Sequence, residues 1–264
     1  MVRILTQNVW TPVAGSGPHS RARLTQLVDN VSDYDVLLLQ EVFHLHVFGK
    51  RKLGHGAWLE AALRKAGFNH IVLPKLHRGI QIQDSGLMVA SKYPISNVRH
   101  IVYVAKRHPE LWTAKGAIGL QINIPDLPPL SFINTHLQAW EGSANAGVRS
   151  WQILQLRQMV DTEKWHDVIV CGDFNLDSAL TDNFEYYSMM RILDPVLDPE
   201  GLGTNCTYPS SNPVNRLDYI LHHKPKDWKL LNVKRIKIGD PTVHNGYSGC
   251  SDHYGVEATI KCNI

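Results

Sequence analysis

Short apolar runs recur along the whole chain, and they constrain its fold more than any other feature of the sequence. Most are four to eight residues long and are bounded by Gly, Pro, Asn or Asp, which is typical of β-strands. About ten strands would be many for one open sheet, so we expect two sheets. The runs are 4–9, 36–40, 87–91, 95–104, 117–124, 131–136, 168–171, 217–221, 228–238 and 254–260.

Three other segments repeat apolar residues at the spacing of an amphipathic helix. Segment 20–31 begins at Ser20, a residue type that caps helix N-termini, and segments 57–66 and 148–165 follow later in the chain. Strand signals resume after every polar loop, so no loop has the character of a domain linker. We therefore predict one strand-rich α/β domain, 1–264, with helices covering the faces of its sheets.

The composition excludes several classes of protein. With 44% hydrophobic and 19% charged residues over 264 positions, the chain is neither disordered nor collagen-like. Its 27 basic and 24 acidic residues give a net charge of +3, which is too small to indicate a nucleic-acid-binding protein by charge alone. No apolar run reaches ~18 residues, so no transmembrane helix is predicted.

The cysteines argue against a zinc site or a redox motif. Cys171, Cys206, Cys250 and Cys262 have no CxxC spacing. A chain of this length can bury a sizeable core without disulfides. One disulfide, such as Cys206 to Cys250, is nevertheless possible.

Acidic, amide and histidine side chains interrupt the apolar runs at corresponding places, at or just after the ends of strands. Taken alone, each of these residues is more often a turn former, a helix cap or a solvated side chain. Their joint occurrence indicates that they converge at one edge of the sheets, where α/β proteins form their sites. They are Asn8, Glu41, His136, Asp173, Asn175, Asp218, Asp252 and His253.

These side chains have the chemistry needed to cleave a phosphate ester. The Glu41 carboxylate and the Asn8 amide oxygen are hard ligands that suit Mg²⁺, and such a metal can polarise a phosphoryl oxygen. His253 can take a proton from water as general base, provided that a carboxylate fixes its tautomer. Both Asp218 and Asp252 qualify as that carboxylate.

The other polar residues can act on the phosphate and on the water. His136 and Asn175 can donate hydrogen bonds to the phosphate as negative charge builds on it. Asp173 can orient the attacking water or the leaving group. All of these residues, together with His253, are therefore expected to be catalytic.

Six short motifs carry the polar residues, in this order along nearly the whole chain: Gln7-Asn8-Val9-Trp10, Leu39-Gln40-Glu41-Val42, Asn134-Thr135-His136-Leu137, Gly172-Asp173-Phe174-Asn175, Leu217-Asp218-Tyr219-Ile220 and Ser251-Asp252-His253. Together they resemble the endonuclease/exonuclease/phosphatase superfamily. The resemblance implies a deoxyribonuclease-like four-layer sandwich, with two mainly antiparallel central β-sheets flanked by helices, and hydrolysis that depends on a divalent metal. It also implies that Glu41 binds the metal and that His253 is the base. Asp218 would pair with that base, and Asp252 would lie beside the metal and the water.

Further motifs resemble those of neutral, or type C, sphingomyelinases. Glu110 stands five positions before Lys115, with Trp112 between them, and sphingomyelinases carry an acidic residue and a lysine at this spacing with aromatic residues between. The resemblance implies that Lys115 contributes to catalysis and substrate binding. The acidic residue of that motif is usually Asp, so the roles of the pair do not carry over unchanged. The other similar pieces are segment 85–95, the run His136-Leu137-Gln138-Ala139, and the pair Asn205 and Tyr208.

The sequence has two kinds of candidate feature for contact with a membrane or its lipids: a basic loop and two tryptophans. The membrane-anchoring helices of some animal relatives and the aromatic-rich hairpin of secreted bacterial relatives have no clear counterpart in this sequence. The basic loop 44–52 suits an anionic membrane surface, but it can equally be a solvated irregular loop. Trp112 and Trp140 can meet a choline cation through their ring faces, although tryptophans in such places are more often packing residues.

The leading hypothesis is a Mg²⁺-dependent phosphodiesterase, with Mn²⁺ or Co²⁺ as possible substitutes, that hydrolyses sphingomyelin or a related phosphocholine lipid to ceramide and phosphocholine. It would act as a monomer at a membrane surface without a transmembrane anchor. Because no secretion signal is recognisable, the sequence favours a cytoplasmic location. The alternative is a secreted protein whose signal peptide has been removed.

The main alternative is a metal-dependent endonuclease or exonuclease of the same superfamily, and only then would nucleic acid be a partner. The modest net charge and the lack of a basic stripe argue against it. A sugar or inositol phosphatase and a catalytically silent binding module on this fold are further alternatives.

Overall fold

The computed structural model describes residues 1–11, 20–44, 46–47, 50–51, 55–75, 84–108, 110–180, 184–194, 196–199, 206–240, 242–244 and 247–263. Within these residues lie four helices and a 3₁₀ turn. The helices are α1 (Ser20–Asp29), α2 (His55–Lys65), α3 (Ser143–Glu163) and α4 (Phe184–Ile192), and the turn is Glu110–Trp112.

The strands form two six-stranded sheets and two short hairpins. In chain order they are β1 (Val2–Thr11), β2 (Val36–Val42), β3 (His46–Val47), β4 (Lys50–Arg51), β5 (His70–Val72), β6 (Met88–Ser91), β7 (Ile95–Val102), β8 (Gly116–Ile122), β9 (Leu130–His136), β10 (Val168–Asp173), β11 (Val196–Leu197), β12 (Asp218–His223), β13 (Trp228–Ile236), β14 (Val243–His244), β15 (Tyr247–Ser248) and β16 (Gly255–Cys262).

Both sheets are mixed but mainly antiparallel. The first has the strand order β13-β16-β1-β2-β6-β5, and the second has the order β11-β12-β10-β9-β8-β7. In the first sheet β1 and β2 are parallel, and in the second β9 and β10 are parallel. The remaining neighbours in each sheet pair antiparallel.

The sheets pack face to face, and helices cover their outer faces. Strand β10 shows how the sequence produces this arrangement, because successive side chains on a strand point to opposite faces. Ile169 and Cys171 belong to the core between the sheets, whereas Val168 and Val170 pack with α3 and α4. On the other side, α1 and α2 bury their apolar faces against the first sheet. The four-layer sandwich expected from the resemblance is therefore confirmed.

All ten predicted strands are present, and they are the longest strands among the described residues. The sequence analysis misses the short strands β3, β4, β5, β11, β14 and β15, because two or three residues are too few to show a pattern. It also misses α4, whose Phe184, Tyr186 and Tyr187 are of types that favour strands. Burial of Tyr186 and Met189 against α3 outweighs that local preference.

Two further expectations meet the structure here. All four cysteines are free thiols, so the possible bond between Cys206 and Cys250 is not formed. Among the described helices, none is both long and apolar enough to cross a membrane.

Candidate active site

Three polar side chains lie side by side where three strands of the second sheet meet. The register pairs Asp173 on β10 with His136 on β9 on one side and with Asp218 on β12 on the other. All three residues are buried. The predicted convergence at the sheet edge therefore arises from strand register in this sheet.

The first sheet brings its polar residues to the same place. Asn8 on β1 pairs with Gln40 on β2, so that Glu41 follows directly at the strand end. The Asn8 amide nitrogen bridges the two sheets, since Nδ2 donates to Glu41 Oε1 at 2.9 Å and to Asp173 Oδ2 at 3.0 Å.

A buried amide pair holds the sheets together beneath the site. Gln40 Nε2 donates to Asn134 Oδ1 at 2.7 Å. Asn134 Nδ2 in turn donates to the carbonyl oxygens of Leu39 and Met88. Neither residue was assigned a role from the sequence. The pattern that could have indicated one is a polar side chain inside an otherwise apolar strand.

His253 is paired with Asp218 through one ring nitrogen. His253 Nδ1 lies 2.8 Å from Asp218 Oδ2, whereas Nε2 lies 3.8 Å from Asp173 Oδ2. Burial would lower the pKa of His253, but Asp218 and Asp173 outweigh it and raise that pKa well above its usual value. An imidazolium formed at this position is therefore strongly stabilised.

Two residues that are neither candidate metal ligands nor candidate acid–base groups position His253. Gln7 Nε2 donates to the His253 carbonyl oxygen at 3.1 Å. The ring of Tyr208 lies 4.8 Å from the imidazole centroid, tilted by 43°. Gln7 was missed as a site residue, although it lies within the first motif.

His136 is a neutral imidazole in contact with Lys115. The Lys115 ammonium lies 3.0 Å from His136 Nε2, and Nε2 is 3.6 Å from Asp173 Oδ2. Burial and the positive charge of Lys115 lower the pKa of His136 to about 3. Because the ammonium is a donor, Nε2 accepts and the ring proton belongs on Nδ1.

Lys115 has protein partners for all three of its N–H groups. Besides His136, Nζ donates to Glu110 Oε1 at 2.5 Å and to the carbonyl oxygen of Leu137 at 2.5 Å. Its side chain is only 3% exposed. In this arrangement Lys115 orients His136, and direct contact with a substrate would require one of these bonds to break.

The segment after His136 is braced by Glu110, which the sequence pattern had singled out, and by Arg149, which it had not. Glu110 Oε2 accepts from the Ala139 N–H at 3.0 Å. Arg149 on α3 donates to the carbonyl oxygens of Gln138 and Trp140, at 3.0 and 2.8 Å, and forms a two-point ion pair with Glu185 on α4. Arg149 is buried, and no short motif could have revealed a contact that depends on two helices.

The acidic groups fit a divalent cation. Burial, and then the negative charge of Asp252, raise the pKa of Glu41 to about 7. Burial also raises the pKa of Asp252, with Asp173 contributing in the same direction. Ligand atoms of Asp173, Asp218 and His253 lie within 4.8 Å of one another. Carboxylates forced together in this way are stabilised by a hard cation.

Asn8 does not present its amide oxygen to this acidic group. Asn8 Oδ1 accepts from the Trp10 N–H at 3.0 Å, and the amide nitrogen faces the carboxylates of Glu41 and Asp173. The geometry therefore favours Asn8 as a hydrogen-bond donor that positions two carboxylates. Its role as a metal ligand stays a prediction.

Several non-glycine residues at the site have positive φ. The values are 48° for Trp10, 58° for Glu41, 74° for Trp140 and 48° for Asn175. Such conformations cost roughly 1–3 kcal/mol each and persist where the surroundings enforce them, often at functional sites. The strand bulge between Asn8 and Thr11 belongs to the same irregular region.

The remaining predicted site residues differ in where they lie: one is beside the site, one is exposed, and others are not described by the structure. Asn175 lies beside the group, with Nδ2 donating to the carbonyl oxygen of Leu137 at 3.1 Å. Trp140 is 63% exposed. The Trp112 side chain, Asn205 and residues 45, 48, 49 and 52 of loop 44–52 lie outside the described residues, as do the side chains of its strands β3 and β4.

Comparison with known proteins identifies the family of this chain and solved structures of similar fold. The model of the Endonuclease/Exonuclease/phosphatase family matches residues 5–253. A sphingomyelinase C of Bacillus cereus is 24% identical over 98% of this chain and 89% of its own length.

Among solved structures, a beta toxin of Staphylococcus aureus superposes with a TM-score of 0.81 at 20% identity, covering 98% of this chain and 99% of that one. A double mutant of the same toxin with bound magnesium ions gives a TM-score of 0.77 at 19% identity, over 97% and 98% of the two chains.

Proposed function

This chain belongs to the endonuclease/exonuclease/phosphatase family, and we propose that it is a Mg²⁺-dependent phosphodiesterase that hydrolyses sphingomyelin or a related phosphocholine lipid to ceramide and phosphocholine. The observation that carries the proposal is that the buried pair of His253 and Asp218 faces Asp173, the same carboxylate that the Glu110–Lys115–His136 chain faces. The curated relatives named sphingomyelinases support the choice of substrate.

His253 acts as the general base. Its Nδ1–H is engaged by Asp218, which leaves Nε2 as the nitrogen that accepts a proton from water. The water oxygen attacks phosphorus in line with the ceramide oxygen, and the bond from phosphorus to that oxygen breaks. Phosphocholine forms, the ceramide oxygen takes up a proton from solvent, and His253 returns its proton to solvent. Asp218 stabilises the imidazolium that results, as a carboxylate does in other acid–base pairs.

The cation would be held by Glu41 together with Asp173 and Asp252. Glu41 and Asp173 share the Asn8 amide nitrogen, and the negative charge of Asp252 acts on Glu41. When bound, Mg²⁺ supplies a Lewis acid that polarises the phosphoryl oxygen and stabilises the leaving oxygen. Asn8 holds Glu41 and Asp173 in register through its amide nitrogen. Mn²⁺ or Co²⁺ could replace Mg²⁺ in such an oxygen-rich site.

The phosphate side of the site is formed by His136 and Asn175. Lys115 and Glu110 fix the His136 ring, and Asn175 places its side chain amide next to the same Leu137 carbonyl. Donors fixed in advance cost little reorganisation when negative charge develops on the phosphate. Asp173, 3.8 Å from His253 Nε2, orients the water. Lys115 would bind substrate directly only after leaving one of its present partners.

The proposal extends to the organisation of the enzyme. Residues 1–264 form one catalytic domain that works as a monomer at a phospholipid surface, and exposed Trp140 meets the choline group together with Trp112. The cytoplasmic location expected from the sequence has no support from the relatives and stays a prediction.

A nuclease of the same family shares the catalytic set, so the substrate is the point to test. Purified protein is incubated with sphingomyelin vesicles, with phosphatidylcholine vesicles and, separately, with supercoiled plasmid. We expect phosphocholine release from sphingomyelin and intact plasmid. Plasmid nicking without lipid hydrolysis would overturn the lipid substrate and leave the family chemistry standing.

A further inference from the structure

An exposed apolar surface borders the Lys115 side of the site. Its members, which we call the aromatic rim, are Val104, Leu111, Trp140, Trp151 and Leu154, with exposed fractions of 88, 51, 63, 65 and 44%. Exposed apolar residues are unremarkable singly, but a group of them beside a site marks an interaction surface.

The elements that carry the rim are joined by hydrogen bonds. The Val104 N–H donates to Gln155 Oε1 on α3 at 3.3 Å, and Gln152 Nε2 donates to the Ala105 carbonyl at 3.0 Å. The Arg107 N–H donates to Gln138 Oε1 at 2.9 Å. Residues 104–108, the segment 138–140 and the first half of α3 are therefore connected, and the contact of Glu110 with Ala139 adds residues 110–111.

Trp151 and Leu154 have no packing function in the core. The face of α3 that packs on the second sheet consists of residues such as Ile153, Leu156 and Val160, all buried. At 100° per residue, Trp151 and Leu154 lie on the opposite, solvent-facing side of the helix. Two large apolar side chains thus occupy positions where polar residues are the rule.

The rim is continuous with the catalytic residues. Leu111 follows Glu110, the partner of Lys115, and Trp140 follows Ala139, whose N–H is bound by Glu110. A surface bound to the rim would therefore place its projecting groups beside His136.

The charges around the rim are mixed in sign. Exposed Arg107 and half-buried Lys106 are positive, and exposed Glu141, next to Trp140, is negative. Mixed charges of this kind match a zwitterionic surface better than a polyanion such as nucleic acid. Tryptophan is also the residue type enriched at the boundary between lipid head groups and acyl chains.

We propose that the aromatic rim docks the enzyme onto a phosphocholine bilayer, with Trp151 and Leu154 entering the head-group layer beside the site. This inference rests on the proposed function for its choice of lipid. It places docking on α3 and loop 104–112.

The test measures vesicle binding separately from turnover. Sedimentation of protein with vesicles of equimolar phosphatidylcholine and sphingomyelin is carried out in EDTA, where no hydrolysis is expected. The variant is W151A/L154A. The matched control is Leu197→Ala. This leucine is 56% exposed, between the values of Leu154 and Trp151, and lies on β11 at the other end of the second sheet, where β11 pairs with His222 and His223.

We expect the rim variant to bind vesicles at least roughly tenfold more weakly than the wild type, because it lacks the two apolar side chains that the bilayer would bury. The control should bind as the wild type does. Turnover of the water-soluble ester p-nitrophenylphosphocholine with Mg²⁺ should be unchanged in both, since none of the three residues contacts the catalytic group.

Unaltered vesicle binding by W151A/L154A, or no binding by the wild type, would overturn the inference. A wild-type dimer that the variant converts to monomer, without any effect on vesicles, would show instead that the rim joins two copies. Rim-dependent binding in EDTA but no lipid hydrolysis with Mg²⁺ would uphold docking and refute the proposed function, so the two failures are distinguishable.

Discussion

His253 Nδ1 lies 2.8 Å from Asp218 Oδ2, and this contact decides which ring nitrogen faces the other carboxylates. Asp218 is fully buried on β12, where the sheet leaves it no freedom to turn away. The pair therefore fixes the tautomer of the imidazole and the direction of its free nitrogen.

Asp218→Asn should reduce kcat by about 10²–10⁴-fold with little change in KM, because the amide cannot stabilise an imidazolium. Loss of the negative charge also lowers the pKa of His253, so the acidic limb of the pH–rate profile should move to lower pH. Steady-state kinetics across pH measures both effects. Asp126→Asn, at an exposed aspartate, serves as the control and should behave like the wild type.

Glu41→Gln should raise the Mg²⁺ concentration needed for half-maximal activity by at least roughly tenfold, since a neutral amide is a poorer ligand than a carboxylate. Titration of activity with Mg²⁺ provides the measurement. Glu141→Gln changes an exposed glutamate in the same way and should leave the titration unaltered. An unchanged metal requirement in Glu41→Gln would place the metal elsewhere.

Asn8→Asp separates two roles of Asn8. If its nitrogen positions Glu41 and Asp173, a third carboxylate repels both, so unfolding in EDTA should occur several degrees lower and turnover should fall. If its oxygen were a metal ligand, the aspartate would keep turnover and tighten Mg²⁺ binding. Thermal unfolding with and without Mg²⁺ decides between them, with Asn30→Asp as the exposed control.

His223 should make the fold sensitive to acid. Burial on β12 lowers the pKa of His223 to about 4, from an unfolded value near 6.5. The unfolded chain then binds the proton first, so stability is complete at neutral pH and falls as pH drops from about 6.5 towards 4, by up to about 3 kcal/mol.

Urea unfolding of His223→Gln at several pH values checks this expectation. The variant should show a flatter fall in stability than the wild type, whereas His166→Gln, at an exposed histidine, should keep the wild-type slope. Equal slopes for all three proteins would mean that His223 does not contribute.

The strand pattern and the polar strand ends were readable in the sequence because both follow from local chemistry. Short apolar runs bounded by turn residues predict strands, and register then aligns Asp173 with His136 and Asp218. The ten strands and the presence of two sheets were predicted in this way, whereas the four-layer sandwich was implied by the family resemblance.

The orientation of individual atoms was not readable in the same way. That Asn8 turns its nitrogen to the carboxylates, and that Lys115 uses all its donors on protein groups, depends on neighbours far away in the chain. The bracing of segment 138–140 by Arg149 requires α4, which the sequence pattern did not reveal. Long-range packing, rather than local preference, decides these details.

The most direct test of the account is phosphocholine release from sphingomyelin vesicles by the wild type and by His253→Ala, each measured with Mg²⁺ and with EDTA. The account predicts rapid release only for the wild type with Mg²⁺, with both proteins unfolding at similar temperatures. Release that persists in EDTA, or release by His253→Ala at the wild-type rate, would contradict it.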